Sequence, residues 1–398
     1  MILRIMAQPI RKKIQDIHSD LIKDKPTLTL LVDGNSLLFS SFADPTVNED
    51  GEYVGAIWQF LLQLRIQLNK RQFDKVFVSF DDTNSGVLRW NLYKLYKQNR
   101  DKHYEEYGAS DYMIEFNENL RKMQEYFFKN KKSDKKKNEK ELFIDEHFDT
   151  CRDRLCLYFN EMCIRWHMDE ICEGDDLIAY YIQNKKPNEK ILIISSDLDL
   201  CQLLSDDVII YNQVKKLYLT NKNFKQYFGY PHENVLIKKI FCGDVSDNIG
   251  NIKGLSENGF FELIPEAKVK SITIEDVKNK AEKLINERIN DNKKPLKVHE
   301  NIINGVSNKE YDGDFYEINK KIIDLKCPIL TEDAKEEMDS QLNTPLDVTD
   351  RSYKNLVKLV NEDKIPELFG DTKFASFFSS FKRIEEKENE FYKLSINS

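Results

Sequence analysis

Three runs of apolar, β-forming residues stand out in the first half of the chain, and each leads directly into an acidic residue. The runs precede Asp33, Asp81 and Asp197, and Asp199 follows two residues after the last of these. Continuous apolar runs are typical of parallel strands that are buried on both faces. Because open α/β sheets carry their sites at the carboxyl ends of the strands, we expect these carboxylates to meet at one edge of a sheet.

The spacing of apolar residues between these runs predicts helices. Residues 54–70 show helical spacing, and with strands from 28 and over 75–80 they predict a right-handed βαβ unit. Further helices are predicted over 88–128, 142–168 and 233–242 and from Gly174, and further strands over 190–195, 208–211 and 216–219. Residues 272–398 are predicted to be mainly helical, with loops at 290–296, 311–314 and 343–350. The pattern indicates an α/β domain at 28–221 and a helical region at 222–398, after an N-terminal extension at 1–27.

Composition narrows the class of protein. The chain has 398 residues, of which 40% are apolar and 32% charged, as is typical of a globular protein. No apolar run approaches the ~20 residues of a membrane span, and no signal-peptide pattern opens the chain. The seven cysteines form no Cys-x-x-Cys pair, which favours a reducing compartment. We therefore expect a cytoplasmic protein with no membrane contact.

Two further acidic groups lie at predicted helix starts, Glu173 with Asp175 and Asp176, and Asp244 with Asp247. Singly, each acidic residue has an ordinary interpretation, because Asp is common in turns and carboxylates cap helices. Together they bring many negative charges to one place, which is unfavourable unless cations hold them. Oxygen ligands without histidine suit Mg²⁺ or Mn²⁺, and two such ions ~3.5–4 Å apart can promote phosphodiester hydrolysis. The set predicts a site for two ions.

Basic residues are clustered although the net charge of −8 argues against a polyanionic partner. On a helix, Arg89, Tyr93, Lys97 and Arg100 would share one face, where cations contact phosphate and aromatic rings stack on unpaired bases. The alternative is an ordinary solvated helix with a few core aromatics. The Lys-rich stretch 129–140 is typical of a solvated, disordered insertion.

The order of the motifs resembles a known family. The motifs are Leu-Val-Asp33-Gly-Asn-Ser, Phe-Asp81 with Arg89 eight residues on, Tyr96-Lys97-x-x-Arg100, Glu173-Gly-Asp175-Asp176, Ser196-Asp197-x-Asp199-x-x-Gln202-Leu203 and Gly243-Asp244-x-Ser246-Asp247-Asn248. This series is similar to that of the 5′ nuclease superfamily, which includes flap endonucleases and the 5′-nuclease domain of bacterial DNA polymerase I. Local details most resemble the RNase H of T-even bacteriophages, a 5′ nuclease despite its name.

The resemblance implies a PIN-like (Rossmann-like), mostly parallel sheet flanked by helices, with an arch insertion at about 88–140. It also implies a C-terminal helical domain that contains a helix–turn–helix at 240–265. The implied metal ligands are Asp33, Asp81, Glu173, Asp175, Asp176, Asp197, Asp199, Asp244 and Asp247.

The basic segment takes its roles from the same resemblance. Lys97 and Arg100 match residues that face the scissile phosphate, so these two, with Asp33 and Asp81, are the candidate catalytic residues. Tyr96 and Arg89 are candidate nucleic-acid contacts, and Arg89 also has a structural interpretation. The Lys-rich stretch becomes a candidate part of the arch.

The turn after Asp247 departs from the family pattern Gly-Val-x-Gly-Ile-Gly-x-Lys-Thr-Ala. Gly254 is retained after Lys253, but Ser256 replaces the next glycine and the Lys-Thr-Ala sequence is lost. In the family this turn grips a duplex through backbone amides and often a monovalent cation. Lys253 and Gly254 are therefore candidate nucleic-acid contacts, and K⁺ binding is left open.

The implied function is that of a monomeric, Mg²⁺-dependent 5′→3′ exonuclease and flap endonuclease. It would act on DNA duplexes or RNA–DNA hybrids with 5′ ends or flaps and remove RNA primers during lagging-strand replication. The resemblance also implies contacts with a sliding clamp and a single-strand-binding protein. Candidates are residues 1–13 and the Phe-rich segment 373–381, whose spacing equally suits a core-facing helix.

Three rival functions are less consistent with the sequence. A non-catalytic nucleic-acid-binding relative would be expected to have lost two or more carboxylates, and none is lost. A PIN-type single-strand ribonuclease would be much shorter and would lack the helical region. A phosphatase with strand-end aspartates would need a second carboxylate at position 35, which is Asn35.

Overall fold

Six strands form one mixed, mostly parallel sheet in the computed structural model, which describes residues 26–82, 84–98, 139–349 and 351–396. The strands are β1 (Thr27–Asp33), β2 (Lys75–Asp81), β3 (Arg165–Asp169), β4 (Glu189–Ile194), β5 (Val208–Asn212) and β6 (Leu217–Leu219). Their order is β3-β2-β1-β4-β5-β6, and only the β5–β6 pair is antiparallel. The predicted α/β fold class is confirmed.

Apolar residues cover both faces of the central strands. In β1, Leu30 and Val32 pack into one core and Leu31 packs into the other. In β4 the same division separates Leu192 from Ile193. Burial on both faces is the reason that these strands are continuous apolar runs in the sequence.

Helices cover both faces of the sheet and form most of the chain after β6. The longer ones are α1 (Gly34–Ser41), α2 (Gly55–Lys70), α3 (Val87–Leu92), α4 (Glu139–Glu161), α5 (Gly174–Gln183), α6 (Phe224–Phe228), α7 (Val235–Cys242), α8 (Glu257–Leu263), α9 (Ile274–Asn290), α10 (Lys297–Asn304), α11 (Phe315–Ile323), α12 (Glu332–Asn343), α13 (Tyr353–Asp363), α14 (Asp371–Phe378) and α15 (Lys382–Ile396). Across the described ranges, none of the helices has the length and apolar character to cross a membrane.

The connection order creates a switch point beside β1. The chain runs outward from β1 through β2 to β3, and then returns to β4 on the other side of β1. Loops at the carboxyl ends of β1 and β4 therefore leave in opposite directions and open a crevice, where open α/β sheets bind their ligands.

The helix predicted over 88–128 is wrong between 93 and 98. Helix α3 ends at Leu92, and Tyr93 has an extended backbone. Residue Lys97 has a φ of +51°, and its N–H donates to the Asp247 carbonyl (2.8 Å). Tertiary contacts to the turn after α7 therefore replace the helical hydrogen bonds. The rest of the predicted arch, from 99 to 138, lies outside the described residues, as does the N-terminal extension up to residue 25.

The helix predicted over 142–168 ends early, and its last part is a strand. Helix α4 stops at Glu161, and Cys163 takes a φ of +55°, which reverses the chain. The following residues form β3 in parallel with β2. Strand β3 was missed because its burial is only partial and its sequence, Arg165-Trp-His-Met-Asp169, has no continuous apolar run.

The helices of the region 222–398, which the sequence predicts as a C-terminal helical domain, contribute to more than one hydrophobic core. Residues from α7 to α11 build a core of their own, together with Tyr93 and Tyr96. Helices α13 and α14 instead join the core of the sheet. The phenylalanines of the Phe-rich segment are all buried there, namely Phe374, Phe377, Phe378 and Phe381. That observation favours the core interpretation of this segment.

Candidate active site

A cleft of about 870 Å³ opens at the carboxyl ends of the strands. Seven acidic side chains line it: Asp33, Asp81, Glu173, Asp175, Asp197, Asp199 and Asp247. They come from five segments, which are the ends of β1 and β2, the start of α5, the segment after β4 and the turn after α7. The structure therefore brings together the carboxylates that the sequence predicted at one sheet edge.

Asp33 is anchored at the junction of β1 and α1. Its Oδ1 accepts from the Ser36 N–H (2.9 Å) as the cap of α1, and its Oδ2 accepts from the Ser195 hydroxyl (2.6 Å). Burial, together with the smaller effect of the charges of Asp197 and Asp81, raises the pKa of Asp33 to about 7, although these two hydrogen bonds act in the opposite direction. The raised pKa shows that a charge on this carboxyl is unfavourable at this position.

Asp81 and Asp175 come together through the glycine between Glu173 and Asp175. The Gly174 N–H donates to Asp81 Oδ1 (2.6 Å), and a Cβ at Gly174 would lie 3.0 Å from the Ser79 hydroxyl. A side chain at this position would therefore crowd the end of β2, where the first turn of α5 approaches it closely. Burial raises the pKa of Asp175 well above its usual range, and the charges of Asp197, Asp33 and Asp81 add to the effect.

Four carboxylates form what we call the central group: Asp33, Asp81, Asp175 and Asp197. Within the described part of the chain, no lysine or arginine forms an ion pair with any of them. Four mutually repelling carboxylates without a counter-ion are unfavourable in a partly buried cleft. The central group is therefore the part of the site that most needs an external cation.

A buried cation, the Arg89 guanidinium, contacts Glu173, which precedes α5, and Asp176 in its first turn. Arg89 is 5% exposed, and its guanidinium contacts Glu173 (2.5 Å) and both oxygens of Asp176. The Arg89 Nε also donates to the Ile322 carbonyl (2.8 Å). Asp176 is fully buried, accepts from the Ile329 N–H (3.0 Å) and does not line the cleft. The side chains of Arg89 and Asp176 thus join α3 and α5 to the C-terminal helices.

Glu173 is surrounded by donors on the wall of the cleft. Besides Arg89, it contacts the Lys97 ammonium group and accepts from the Tyr96 hydroxyl (2.9 Å). Burial raises the pKa of Tyr96 well above its usual range, and the charge of Glu173 reinforces the shift. Lys97 reaches this position because of its left-handed backbone, not because it continues a helix.

A lysine that the sequence analysis did not single out lies among the remaining carboxylates. The Lys239 ammonium group contacts Asp199, Asp244 (2.7 Å) and Asp247 (3.6 Å), which we call the outer group. Burial opposes a charge on Lys239, but the three carboxylates outweigh it and raise its pKa. Burial also raises the pKa of Asp199, to about 6, although Lys239 acts in the opposite direction. Contact with Lys239 lowers the pKa of Asp244 in spite of its burial.

The donor set fits a hard divalent cation. Seven of the described residues that line the cleft are carboxylates, and neither histidine nor cysteine is among them. In the outer group, one carboxylate oxygen from each residue lies within 4.8 Å of the others. Oxygen-only ligation of this kind suits Mg²⁺ or Mn²⁺ better than zinc or copper.

Not every predicted site residue lies in this cleft. Lys253 and Gly254 lie on the turn between α7 and α8, where Lys253 is exposed and Gly254 has a φ of +85°. Arg100 lies outside the described residues. Conversely, Phe39 was missed, although its ring is 58% exposed and lines the cleft. The sequence did contain a signal for Phe39. It is an aromatic residue two positions after Leu37, on a helix that starts directly after Asp33.

Comparison with known proteins finds similarity to 5′-3′ exonucleases. A family model described as the N-terminal resolvase-like domain of 5′-3′ exonucleases matches residues 28–229. The 5′-3′ exonuclease of Mycoplasmopsis pulmonis (strain UAB CTIP) is 27% identical over 239 residues, which are 59% of this chain and 65% of that protein. DNA polymerase I of Bacillus subtilis (strain 168) is 24% identical over 244 residues, 60% of this chain and 23% of the polymerase.

The chain thus covers less than two thirds of the length of each of these two relatives. Among solved structures, T5 5′-exonuclease with bound zinc aligns with 85% of this chain and 100% of its own, at 15% identity and a TM-score of 0.47. The family model covers just over half of the chain and includes four of the five acidic segments. The chain belongs to the 5′-3′ exonuclease family with the N-terminal resolvase-like domain.

Proposed function

We propose that this protein is a Mg²⁺-dependent, structure-specific 5′→3′ nuclease. Its substrates would be DNA duplexes or RNA–DNA hybrids with 5′ ends or flaps. The observation that carries the proposal is the convergence of seven acidic side chains on one cleft, where the central group has no counter-ion among the described residues. Family membership supports the same class of reaction.

We assign the metal ligands from the way the carboxylates cluster and from the part of the site that each cluster forms. The central group would hold one divalent cation and the outer group a second. When bound, such cations activate water and stabilise negative charge on the attacked phosphate and the leaving oxygen. Glu173 and Asp176 would act mainly through Arg89, as residues that position the start of α5.

Cationic and aromatic residues in the cleft would bind the nucleic acid. The Lys97 ammonium group lies on the cleft wall and can offset negative charge that develops on a phosphate. The exposed ring of Phe39 can stack on an unpaired base, as aromatic side chains do in single-strand binding sites. Arg89 is buried and engaged, so we assign it a structural role. Arg100 remains a proposed phosphate contact.

The duplex beyond the cut would contact the turn between α7 and α8. A Cβ at Gly243 would lie 2.6 Å from the Ile249 carbonyl, and its φ is +67°, so only glycine allows this tight turn. The exposed Lys253 lies farther along the same turn and offers a charge for a phosphate. K⁺ binding at this turn stays an untested prediction.

The biological role that we propose is removal of RNA primers in lagging-strand replication. Contacts with a sliding clamp and a single-strand-binding protein would then involve residues 1–13, which lie outside the described residues. The Phe-rich segment is a weaker candidate, because its four phenylalanine rings are buried.

A 5′-labelled flap duplex tests the proposal. We expect a short, flap-sized labelled product with Mg²⁺ and none with EDTA. Asp33→Asn should bind the duplex without cutting it, whereas Asp169→Asn should cut normally. Asp169 is a matched control because it also ends a strand and accepts backbone hydrogen bonds, from Ile171 (2.9 Å) and Cys172 (2.8 Å).

Other outcomes would contradict the proposal. Binding without cleavage by the unmodified protein would indicate a non-catalytic relative, and release of phosphate alone would indicate a phosphatase. Cleavage by Asp33→Asn at the unmodified rate, with trace metals removed, would refute the assignment of the site.

A further inference from the structure

Helix α7 directs a lysine into the acidic cleft. Lys239 is 7% exposed, and its neighbours on the same helix, Val235, Ile240 and Phe241, are buried apolar residues. A lysine on the core-facing side of a helix is costly unless its charge is paired. Among the described residues, the ammonium group is paired with the outer group, Asp199, Asp244 and Asp247.

The ammonium group lies where a divalent cation would have to bind. One oxygen from each carboxylate of the outer group lies within 4.8 Å of the other two, which is a spacing suited to a shared cation. Lys239 contacts all three residues, with Asp244 at 2.7 Å and Asp247 at 3.6 Å. Two cations cannot share such a small space without strong repulsion.

The central group offers a direct contrast within the same cleft. Asp33, Asp81, Asp175 and Asp197 have no lysine or arginine partner in the described ranges. A divalent cation entering there would displace no lysine or arginine of the described residues.

We propose that Lys239 is a built-in counter-ion that competes with the divalent cation for the outer group. This proposal rests on the proposed function for its choice of metal, but it concerns a different property, the unequal affinity of the two halves of the site. A metal ion fills the outer group only when the Lys239 ammonium group leaves it. Lys239 is thus a positioning residue for Asp199, Asp244 and Asp247.

Competition has two consequences. The central group takes up metal at lower concentration than the outer group. A metal ion can bind the outer group only in molecules whose Lys239 ammonium group has left it, and this requirement weakens the apparent affinity. The outer carboxylates also stay ordered before metal arrives, because one lysine ties the segment after β4 to the turn after α7.

Calorimetric titration of the metal-free, full-length protein with Mn²⁺ tests the proposal. Lys239→Met removes the charge and keeps an unbranched apolar stem. We expect it to raise the affinity of the weaker Mn²⁺ site at least tenfold and to leave the tighter site within twofold. The proposal is supported if the unmodified protein shows two Mn²⁺ sites of different affinity and Lys239→Met strengthens the weaker one. It is also supported if the unmodified protein shows one detectable site and Lys239→Met shows two.

Lys238→Met is the matched control. Lys238 lies next to Lys239 on α7, but it points to Glu257 (3.0 Å) and the Tyr230 ring, away from the outer group. Removal of this charge changes the net charge equally and should alter Mn²⁺ affinity less than twofold. An equal effect of both variants would show a general charge effect and overturn the proposal, as would an unchanged isotherm for Lys239→Met.

A second pair of variants covers the case in which Lys239→Met does not fold without metal. Lys239→Met combined with Asp244→Asn removes one cation and one anion together, and Asp244→Asn alone is its reference. The double variant should bind Mn²⁺ at the outer group more tightly than the single variant. Equal binding would contradict competition. Since no nucleic acid is present, these results are independent of whether the protein cuts flaps.

Discussion

Substitution of Asp33 by asparagine should stabilise the metal-free protein while it abolishes cleavage. The Asp33 carboxylate is buried beside three other, more exposed carboxylates of the central group, so its charge opposes folding when no cation is bound. Asparagine has the same shape and can still accept from the Ser36 N–H. The change therefore removes the charge with little loss of packing.

The pKa of Asp33 sets the size of the effect. Burial raises it from 3.8 to about 7, and each unit corresponds to about 1.4 kcal/mol between the two protonation states. The full shift is therefore worth about 4 kcal/mol at a pH above 7. Because Asp175 interacts with the same charges and takes up part of the proton, we expect a gain of about 2–4 kcal/mol in the free energy of unfolding.

The sign of the pH dependence follows from the same shift. Between pH 4 and 7 the folded protein holds a proton on Asp33 that the unfolded chain has released, so stability falls as pH rises through this window. The advantage of Asp33→Asn should thus be close to zero at pH 4 and complete at pH 8.5. Mg²⁺ should reverse the order at pH 8.5, because only the unmodified protein has the full set of ligands.

Urea unfolding in EDTA at several pH values measures this gain. The matched control is Asp169→Asn, at the end of β3, which should show no gain because Asp169 caps backbone N–H groups outside the cleft. A loss of stability in Asp33→Asn at pH 8.5, or a gain that does not change with pH, would refute the view that the central group is charged and uncompensated.

Three further predictions concern other parts of the structure. Arg89→Met should lower the free energy of unfolding by about 3–5 kcal/mol in urea, because it leaves the buried Asp176 without its partner; an effect below 1 kcal/mol would refute its structural role. Phe39→Ala should weaken binding of a single-stranded flap by about 1–3 kcal/mol. Phe39→Leu should bind the flap as weakly as Phe39→Ala if stacking is responsible, and both variants should have the stability of the unmodified protein. Phe377→Ala should cost about 3–5 kcal/mol of stability, because its ring is buried against Trp58 at 5.2 Å; an unchanged melting temperature would indicate a surface role instead.

The sheet and its acidic edge were predictable because they depend on local patterns. Continuous apolar runs identified β1, β2 and β4, and parallel pairing then places Asp33, Asp81 and the Asp197 segment at the same edge. The family and the fold class followed from the order of these motifs, and both predictions are confirmed.

Elements that depend on tertiary contacts were not predictable. Strand β3 has no apolar run and is a strand only because it pairs with β2. The segment after Leu92 has helical spacing, yet the Lys97 N–H donates to Asp247 in the turn after α7 and the helix does not continue. In both places a distant partner outweighs the local preference.

The spacing of the acidic residues also did not predict which of them face the cleft and which contact a cation of the chain. Asp175 and Asp176 are adjacent in sequence, but one faces the cleft and the other faces Arg89. The partner of the outer group, Lys239, could have been suspected from its place on the apolar side of α7, four residues after the buried Val235. The position of a lysine on the apolar face of a helix predicts that it is buried. The carboxylates that pair with it can be identified only from the folded structure.

The central claim is that the central group, which has no lysine or arginine partner among the described residues, holds the tighter divalent cation, and Mn²⁺ binding by two neighbouring variants tests it most directly. Asp175→Asn and Asp176→Asn make the same chemical change one residue apart on α5. Electron paramagnetic resonance of free Mn²⁺, with folding checked by circular dichroism, gives the number and affinity of bound ions. We predict that Asp175→Asn loses the tighter ion, while Asp176→Asn keeps it and loses stability. Equal loss of Mn²⁺ from both variants, or normal binding by Asp175→Asn, would contradict the account.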